Sequence, residues 1–325
     1  MIHARGLRRE FRARTATVEA VAGVDLDVDR GEIVGFLGPN GAGKTTTLRM
    51  LTTLLAPTSG TATVAGHDLV REPAEVRRQI GYVPQGGTSN GEATVLEELV
   101  LQARLYRIGR SEARAGATRL LGQLDLDGLG DRRTRTLSGG QRRRLDIAMG
   151  LVHSPTLVFL DEPTTGLDPQ SRANLWDHVR ALRDERRGTV FLTTHYLEEA
   201  DVLCDRILVI DAGRIVAEGT PDDLKRRVSG DVVTLDVDDV ARTRDALRGA
   251  PEVRDVSVDG ASVRLTVESG DRAVLPLLRR LDDAEVAVSA FRVARPTLDD
   301  VFLTLTGRSL RDAHDTARPL EGALR

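Results

Sequence analysis

The segment Gly38-Pro39-Asn40-Gly41-Ala42-Gly43-Lys44-Thr45 constrains this chain more than any other. It follows a short apolar run, Ile33 to Leu37, and precedes the helical-looking LRMLTTLL, so it reads as the loop between a strand and a helix. Glycines let such a loop curl until successive backbone N–H groups point inward, and the following helix N-terminus adds partial positive charge. The product is a cradle for phosphates. At this spacing Lys44 reaches the outer phosphates, and the Thr45 hydroxyl, with Thr46 beside it, is set for a Mg²⁺ ion. Arginine and lysine total 46, yet only Lys44 and Lys225 are lysines. A lysine kept in such a sequence points to a need for a compact ammonium rather than a planar guanidinium.

A second segment, Leu157-Val158-Phe159-Leu160-Asp161-Glu162, is an apolar strand ending in two acids. Adjacent carboxylates at a buried strand end make sense beside a metal. Asp161 is assigned to the Mg²⁺ shell, which frees Glu162 to polarise an attacking water as general base. Together the two segments predict a nucleoside triphosphatase.

The 325 residues allow two domains, and 40% hydrophobic with 29% charged residues describes a globular protein. A net charge of −3 gives no basic footprint for nucleic acid. No apolar run approaches the length of a membrane span. MIHARGLRREF lacks the apolar core of a secretory signal, so a cytosolic protein is expected. The one cysteine, Cys204, reads as an inert buried thiol.

Strands at 33–37, 157–160 and 189–193 alternate with helix-like stretches, which predicts an α/β domain with a mainly parallel sheet. Residues 61–85 read as short strands, 94–150 as a helical insertion, and Arg206–Ile210 with Arg214–Ala217 as a hairpin. After residue 228 the pattern changes to β-α-β-β-α-β, the ferredoxin-like order. There a strand at 231–238 precedes a helix at 241–250, and two strands follow, joined at Asp259-Gly260. A helix starting at Pro276 and a strand at 285–293 complete it. The expected divisions are an ATPase domain at 1–228, a small α+β domain at 231–307 and a loose tail at 308–325.

Leu137-Ser138-Gly139-Gly140-Gln141 lies between the phosphate loop and the acidic strand end, and it resembles the complete signature motif of ABC ATPases. A hydroxyl and exposed N–H groups at a helix start suit a γ-phosphate. The resemblance covers about residues 1–228. It implies a P-loop ABC ATPase domain with a RecA-like core, an antiparallel β subdomain and a helical subdomain, using ATP and Mg²⁺. It also implies that Ser138, Gly139, Gly140 and Gln141 act in trans, on ATP held by a second copy in a homodimer. Gln85 in GYVPQ is similar to the Q-loop glutamine at the Mg²⁺ and water site, and Asp168 in GLD to the D-loop aspartate. His195 is similar to the switch histidine, and Phe11 to the aromatic that stacks on adenine. Arg142 to Arg144 read as a solvated helix face with no catalytic role. The segment Gly86 to Gly91 is small and polar, without the acidic or aromatic residues often found there.

Arg295 to Gly307 (RPTLDDVFLTLTG) reads as an amphipathic helix with Leu298, Val301, Phe302 and Leu305 on one face. It resembles the C-terminal motif of daunorubicin-resistance-type ATP-binding subunits. That resemblance implies an exporter ATPase, peripheral on the cytoplasmic face of the membrane, with a separate ABC-2 type permease as partner and no nucleic acid. An importer ATPase is the alternative within transport. A soluble ABC ATPase of translation or DNA repair is disfavoured by one cassette, one cysteine and no sustained heptads.

Overall fold

The computed structural model describes residues 1–12, 17–186, 188–228, 230–259 and 262–306. The described residues form two compact units, 1–220 and 221–306.

The first unit is built on a six-stranded sheet in the order β10-β9-β3-β8-β7-β6. Its parallel strands are β6 (Ile80–Val83), β7 (Leu157–Asp161), β3 (Ile33–Leu37), β8 (Thr189–Thr194) and β9 (Arg206–Asp211). β10 (Arg214–Gly219) closes the edge antiparallel to β9, as the expected hairpin. Every residue of β3, β7 and β8 is buried, which is why these strands read as continuous apolar runs. A second, antiparallel sheet, β2-β1-β4-β5, comprises β1 (Ile2–Arg12), β2 (Thr17–Val28), β4 (Ser59–Val64) and β5 (His67–Asp68). Ile2, Val24, Leu26 and Val64 of this sheet share one core cluster with Phe36, Phe159 and Phe191 of the parallel sheet.

Helix α1 (Lys44–Leu51) follows β3 and stops four residues before the expected end at Leu55. One correction concerns 61–85, read above as strands only: Pro73–Gln79 is a helix, α2. Its only buried side chain is Val76, so it has no apolar periodicity to read, although Pro73 at its start was a usable signal. The helical block contains α3 (Val95–Leu105), α4 (Arg110–Gln123) and α5 (Gly139–Leu151). Thr94 and Glu97 form a reciprocal capping box at the start of α3. Helices α6 (Pro169–Arg186) and α7 (Leu197–Leu203) complete the unit. Cys204 is buried, and burial pushes its thiol well up from the ordinary value.

The second unit begins with α8 (Pro221–Val228), which packs on α11 (Leu298–Thr306). Between them lie β11 (Asp231–Val237), α9 (Val240–Leu247), β12 (Val253–Asp259), β13 (Ser262–Val267), α10 (Gly270–Asp283) and β14 (Val288–Ala294). Their sheet is fully antiparallel in the order β12-β13-β11-β14, the ferredoxin-like arrangement. Asp259 pairs with Ser262; Gly260 of the expected Asp259-Gly260 turn lies outside the described residues, as does the expected tail at 308–325. Helix α10 starts six residues before Pro276, which sits inside it. Ala273, Leu277 and Leu281 are buried at spacings of four, so packing offsets the hydrogen bond that proline removes. Leu298, Val301 and Phe302 of α11 are buried, whereas Leu305 of the same predicted face is 41% exposed.

Candidate nucleotide-hydrolysis site

Because β3, β6, β7 and β8 are parallel, the segments that leave their carboxyl ends gather along one edge of the sheet. Leu37 is level with Thr194, Asp161 with Thr193, and Val83 with Leu160. The phosphate-loop segment, Gln85, the Asp161-Glu162 pair and His195 therefore meet where open α/β sheets bind ligands.

The loop from Gly38 to Gly43 folds against the strands beside it. Gly43 has φ of 104°, and an added Cβ would lie 2.5 Å from the Ala20 carbonyl oxygen on β2. At Gly38 a Cβ would meet the Ile210 carbonyl oxygen at 2.3 Å. Asn40 and Gly41 form the exposed rim, Pro39 and Ala42 are buried, and Thr45 and Thr46 are half-buried. Lys44 is 4% exposed and donates to the carbonyls of Gly38 at 2.8 Å and Pro39 at 3.1 Å. Burial pulls its ammonium below the ordinary lysine value.

Glu162 is the hub. Lys44 Nζ lies 3.5 Å from Oε1. Gln85 Nε2 donates to Oε2 at 2.8 Å, the Thr165 hydroxyl donates to it at 3.2 Å, and His195 Nδ1 is 3.3 Å from it. Burial pushes this carboxyl up, but the His195 hydrogen bond and the Lys44 charge outweigh it and lower the pKa to about 2. The backbone of Glu162 is left-handed, with φ of 43°, a conformation that costs a residue other than glycine roughly 1–3 kcal/mol. Its N–H is held by Thr193, 3.0 Å from the hydroxyl and 3.1 Å from the carbonyl. Asp161 accepts from the Thr193 hydroxyl at 2.6 Å and the Thr45 hydroxyl at 3.3 Å, and burial raises its carboxyl. Thr45, Asp161 and the Gln85 amide offer hard oxygen atoms, the donor set that suits Mg²⁺ with phosphates supplying the rest.

The remaining expected site residues lie elsewhere. Ser138 caps α5 in a reciprocal box: its hydroxyl accepts from Gln141 N–H at 3.2 Å, and Gln141 Oε1 accepts from Ser138 N–H at 3.0 Å. Gly139 faces open space, and a Cβ on Gly140 would meet the Ser171 hydroxyl at 2.8 Å. Among the described residues, no hydrogen bond joins Ser138 or Gln141 to the Gly38–Thr46 segment. Asp168 is exposed and binds the backbone and hydroxyl of Ser171 at 2.9 and 2.6 Å, capping α6. Phe11 is half-buried and outside the core, with the Arg9 guanidinium 4.8 Å over its ring. It pairs with Val18, two residues along β2 from the Ala20 that touches Gly43.

Arg142 to Arg144, read as one solvated face, divide. Arg142 is exposed, but Arg143 is 7% exposed and points into the site. It donates to the carbonyls of Pro84 at 2.6 Å, Pro163 at 2.8 Å and Asp161 at 3.0 Å. Position within RRR carried no sequence signal for this. Only the phase of α5, on which Arg143 shares a face with buried Asp146 and Ile147, turns it inward.

Residues 21–165 match the ABC transporter family, and residues 219–306 match the C-terminal domain of DrrA1-3-like ATP-binding proteins. The daunorubicin resistance ATP-binding protein DrrA3 of Streptomyces coeruleorubidus is 46% identical over 90% of this chain and 93% of its own length. The linearmycin resistance ATP-binding protein LnrL of Bacillus subtilis is 35% identical over 96% of this chain and all of its own. Among solved structures, the dimeric ATP-binding cassette MJ0796 bound to ADP and Pi is 26% identical, with a TM-score of 0.63 over 68% of this chain and 98% of that one. No described helix is long and apolar enough to cross a membrane. With a phosphate-loop lysine, a paired acid and a complete signature segment on this fold, the chain belongs to the ABC transporter family as an ATPase subunit of the DrrA-like type.

Proposed function

We propose that this chain binds MgATP between its own phosphate loop and the signature helix of a second copy, and that hydrolysis drives a separate ABC-2 type permease. The permease exports a drug-like or lipophilic compound, and the ATPase works peripherally on the cytoplasmic face of the membrane. The observation that carries the reading is the convergence of Lys44, Gln85, Thr165 and His195 on the Glu162 carboxylate, beside the Thr45–Asp161 pair.

Phosphoryl transfer needs positioning and charge stabilisation more than covalent help. Lys44 and backbone N–H groups of the phosphate loop bind phosphate oxygens. Gln85 and His195 orient the attacking water, and Glu162 takes its proton. A carboxylate held near 2 is ionised but weakly basic. Phosphates that engage Lys44 withdraw one of the charges depressing it, so basicity rises when ATP is bound. Thr45, Asp161 and the Gln85 oxygen would hold Mg²⁺, which would supply charge neutralisation at the phosphates. Among the described residues, the side chains of Ser138 and Gln141 bond within their own turn and Gly139 faces open space, which favours action of Ser138 to Gln141 on ATP in the partner copy. Phe11 stacks on the base, and Asp168 lines the dimer interface. Export follows from the printed roles of the relatives in daunorubicin and linearmycin resistance.

The test is Glu162→Gln in the full chain. Turnover should fall roughly 10²- to 10⁴-fold, while a MgATP-bound dimer accumulates and is seen by light scattering. Normal turnover would overturn the general-base assignment. Copurification from detergent-solubilised native membranes tests the permease: one polytopic membrane protein is expected, and a purely soluble complex would refute transport.

A further inference from the structure

Glu162 combines a strained backbone with a carboxylate that must be aimed at one water. Left-handed conformations at such residues persist only where the surroundings over-determine them. The carbonyls on either side of Glu162, those of Asp161 and Pro163, both accept from Arg143, at 3.0 and 2.8 Å. The third nitrogen of the same guanidinium donates at 2.6 Å to Pro84, the residue before Gln85. One planar fork thus pins the main chain of Glu162 and of Gln85, whose side chains meet at 2.8 Å. One turn further along α5, the Asp146 carboxylate accepts from Thr88 N–H at 3.2 Å and packs closely on Gly87, where a Cβ would lie 3.2 Å from it. The helix that begins at Ser138 therefore grips the Gln85 segment at both ends and the catalytic acid at its backbone.

We propose that Arg143 is a positioning residue for hydrolysis: it fixes Gln85 and Glu162 relative to each other and ties both to the signature helix. The inference rests on the assignment of Glu162 as general base. Lysine cannot replace it fully, because a point donor does not reach three carbonyls in one plane. Alanine leaves three carbonyls without their donor and frees the Glu162 backbone to relax.

The experiment compares the parental full chain with Arg143→Ala and Arg143→Lys, reading MgATP turnover, KM and melting temperature. The expected result is a kcat lowered roughly 10- to 100-fold in the alanine variant, as for a group displaced by about 1 Å, with KM for MgATP within about twofold. Lysine should give an intermediate rate, and added ethylguanidinium should restore part of the alanine variant's rate. If the alanine variant does not fold, the lysine variant carries the same kcat-against-KM reading. Unchanged kcat in a folded variant overturns the proposal. So does a loss of kcat and ATP binding together without guanidinium rescue, which would mark a merely structural role. The general-base assignment fails separately: Glu162→Gln alone would then turn over normally, whatever the Arg143 variants do.

Discussion

The two units bury different things. In the first, Lys44, Asp161, Glu162, Arg143, Asp146 and Glu199 are all at most 8% exposed, and Glu162 adds backbone strain. In the second, the core beneath the sheet is aliphatic: Val233, Leu235, Val263, Leu265, Val267, Leu277 and Leu281 are nearly inaccessible. Its one fully buried polar side chain among the described residues, Thr243, is satisfied by the Asp239 carbonyl at 2.7 Å. Burying charge costs free energy unless partners are placed accurately. The first unit accepts that cost where it performs chemistry. The second has a core made by packing alone, so whatever it contributes to transport it contributes from its surface.

The contrast can be broken at four places. The largest effect is expected from Gly43→Ala. Its φ of 104° and the Ala20 carbonyl 2.5 Å from the new Cβ force the loop to shift. Left-handed strain of about 1–2 kcal/mol and overpacking of about 1–3 kcal/mol should abolish measurable ATP binding by titration calorimetry. Tight binding would mean that the loop is not held as described.

Leu277→Ala should cost the second unit about 2–5 kcal/mol, seen as faster amide exchange across 231–294, with ATP affinity unchanged. Weakened ATP binding instead would show that the two cores are not energetically separate.

Protonation distinguishes the units more gently. Glu162 falls from an ordinary 4.5 to about 2 in the folded chain. Its contribution is therefore fully present above about 4.5 and is lost as pH falls toward about 2, on the order of a few kcal/mol. Chemical denaturation between those values should show the parental chain losing its advantage over Glu162→Gln as pH drops. A constant difference would contradict the burial and pairing of Glu162.

The smallest effect belongs to Asp239→Ala, which removes the cap that accepts from Arg242 N–H at 2.9 Å at the start of α9. A loss of about 1 kcal/mol is expected in the second unit, read by denaturant midpoint, with ATP turnover unaltered.

What the sequence determined by itself was whatever local chemistry writes into consecutive residues. Gly38 and Gly43 mark loop positions that no side chain fits, an apolar run ending in Asp161-Glu162 marks a buried strand tip, and alternation along β13 marks a sheet with one covered face. Ser138 with Gln141 could be read as a helix start for the same reason. Even the order β-α-β-β-α-β was legible, since β11 and β13 at the centre of the sheet bury alternate residues and so show a period of two. Tertiary structure decided the rest. Helix α2 buries one side chain and leaves no period, and α10 runs through Pro276 because Ala273 and Leu281 on either side pack into a core. Gln85, Glu162 and His195 become one site only because their strands lie parallel in one sheet and end at one edge. Arg143 differs from Arg142 only in the direction it faces on α5, a direction set by the partners that bury the helix rather than by its neighbours in the chain.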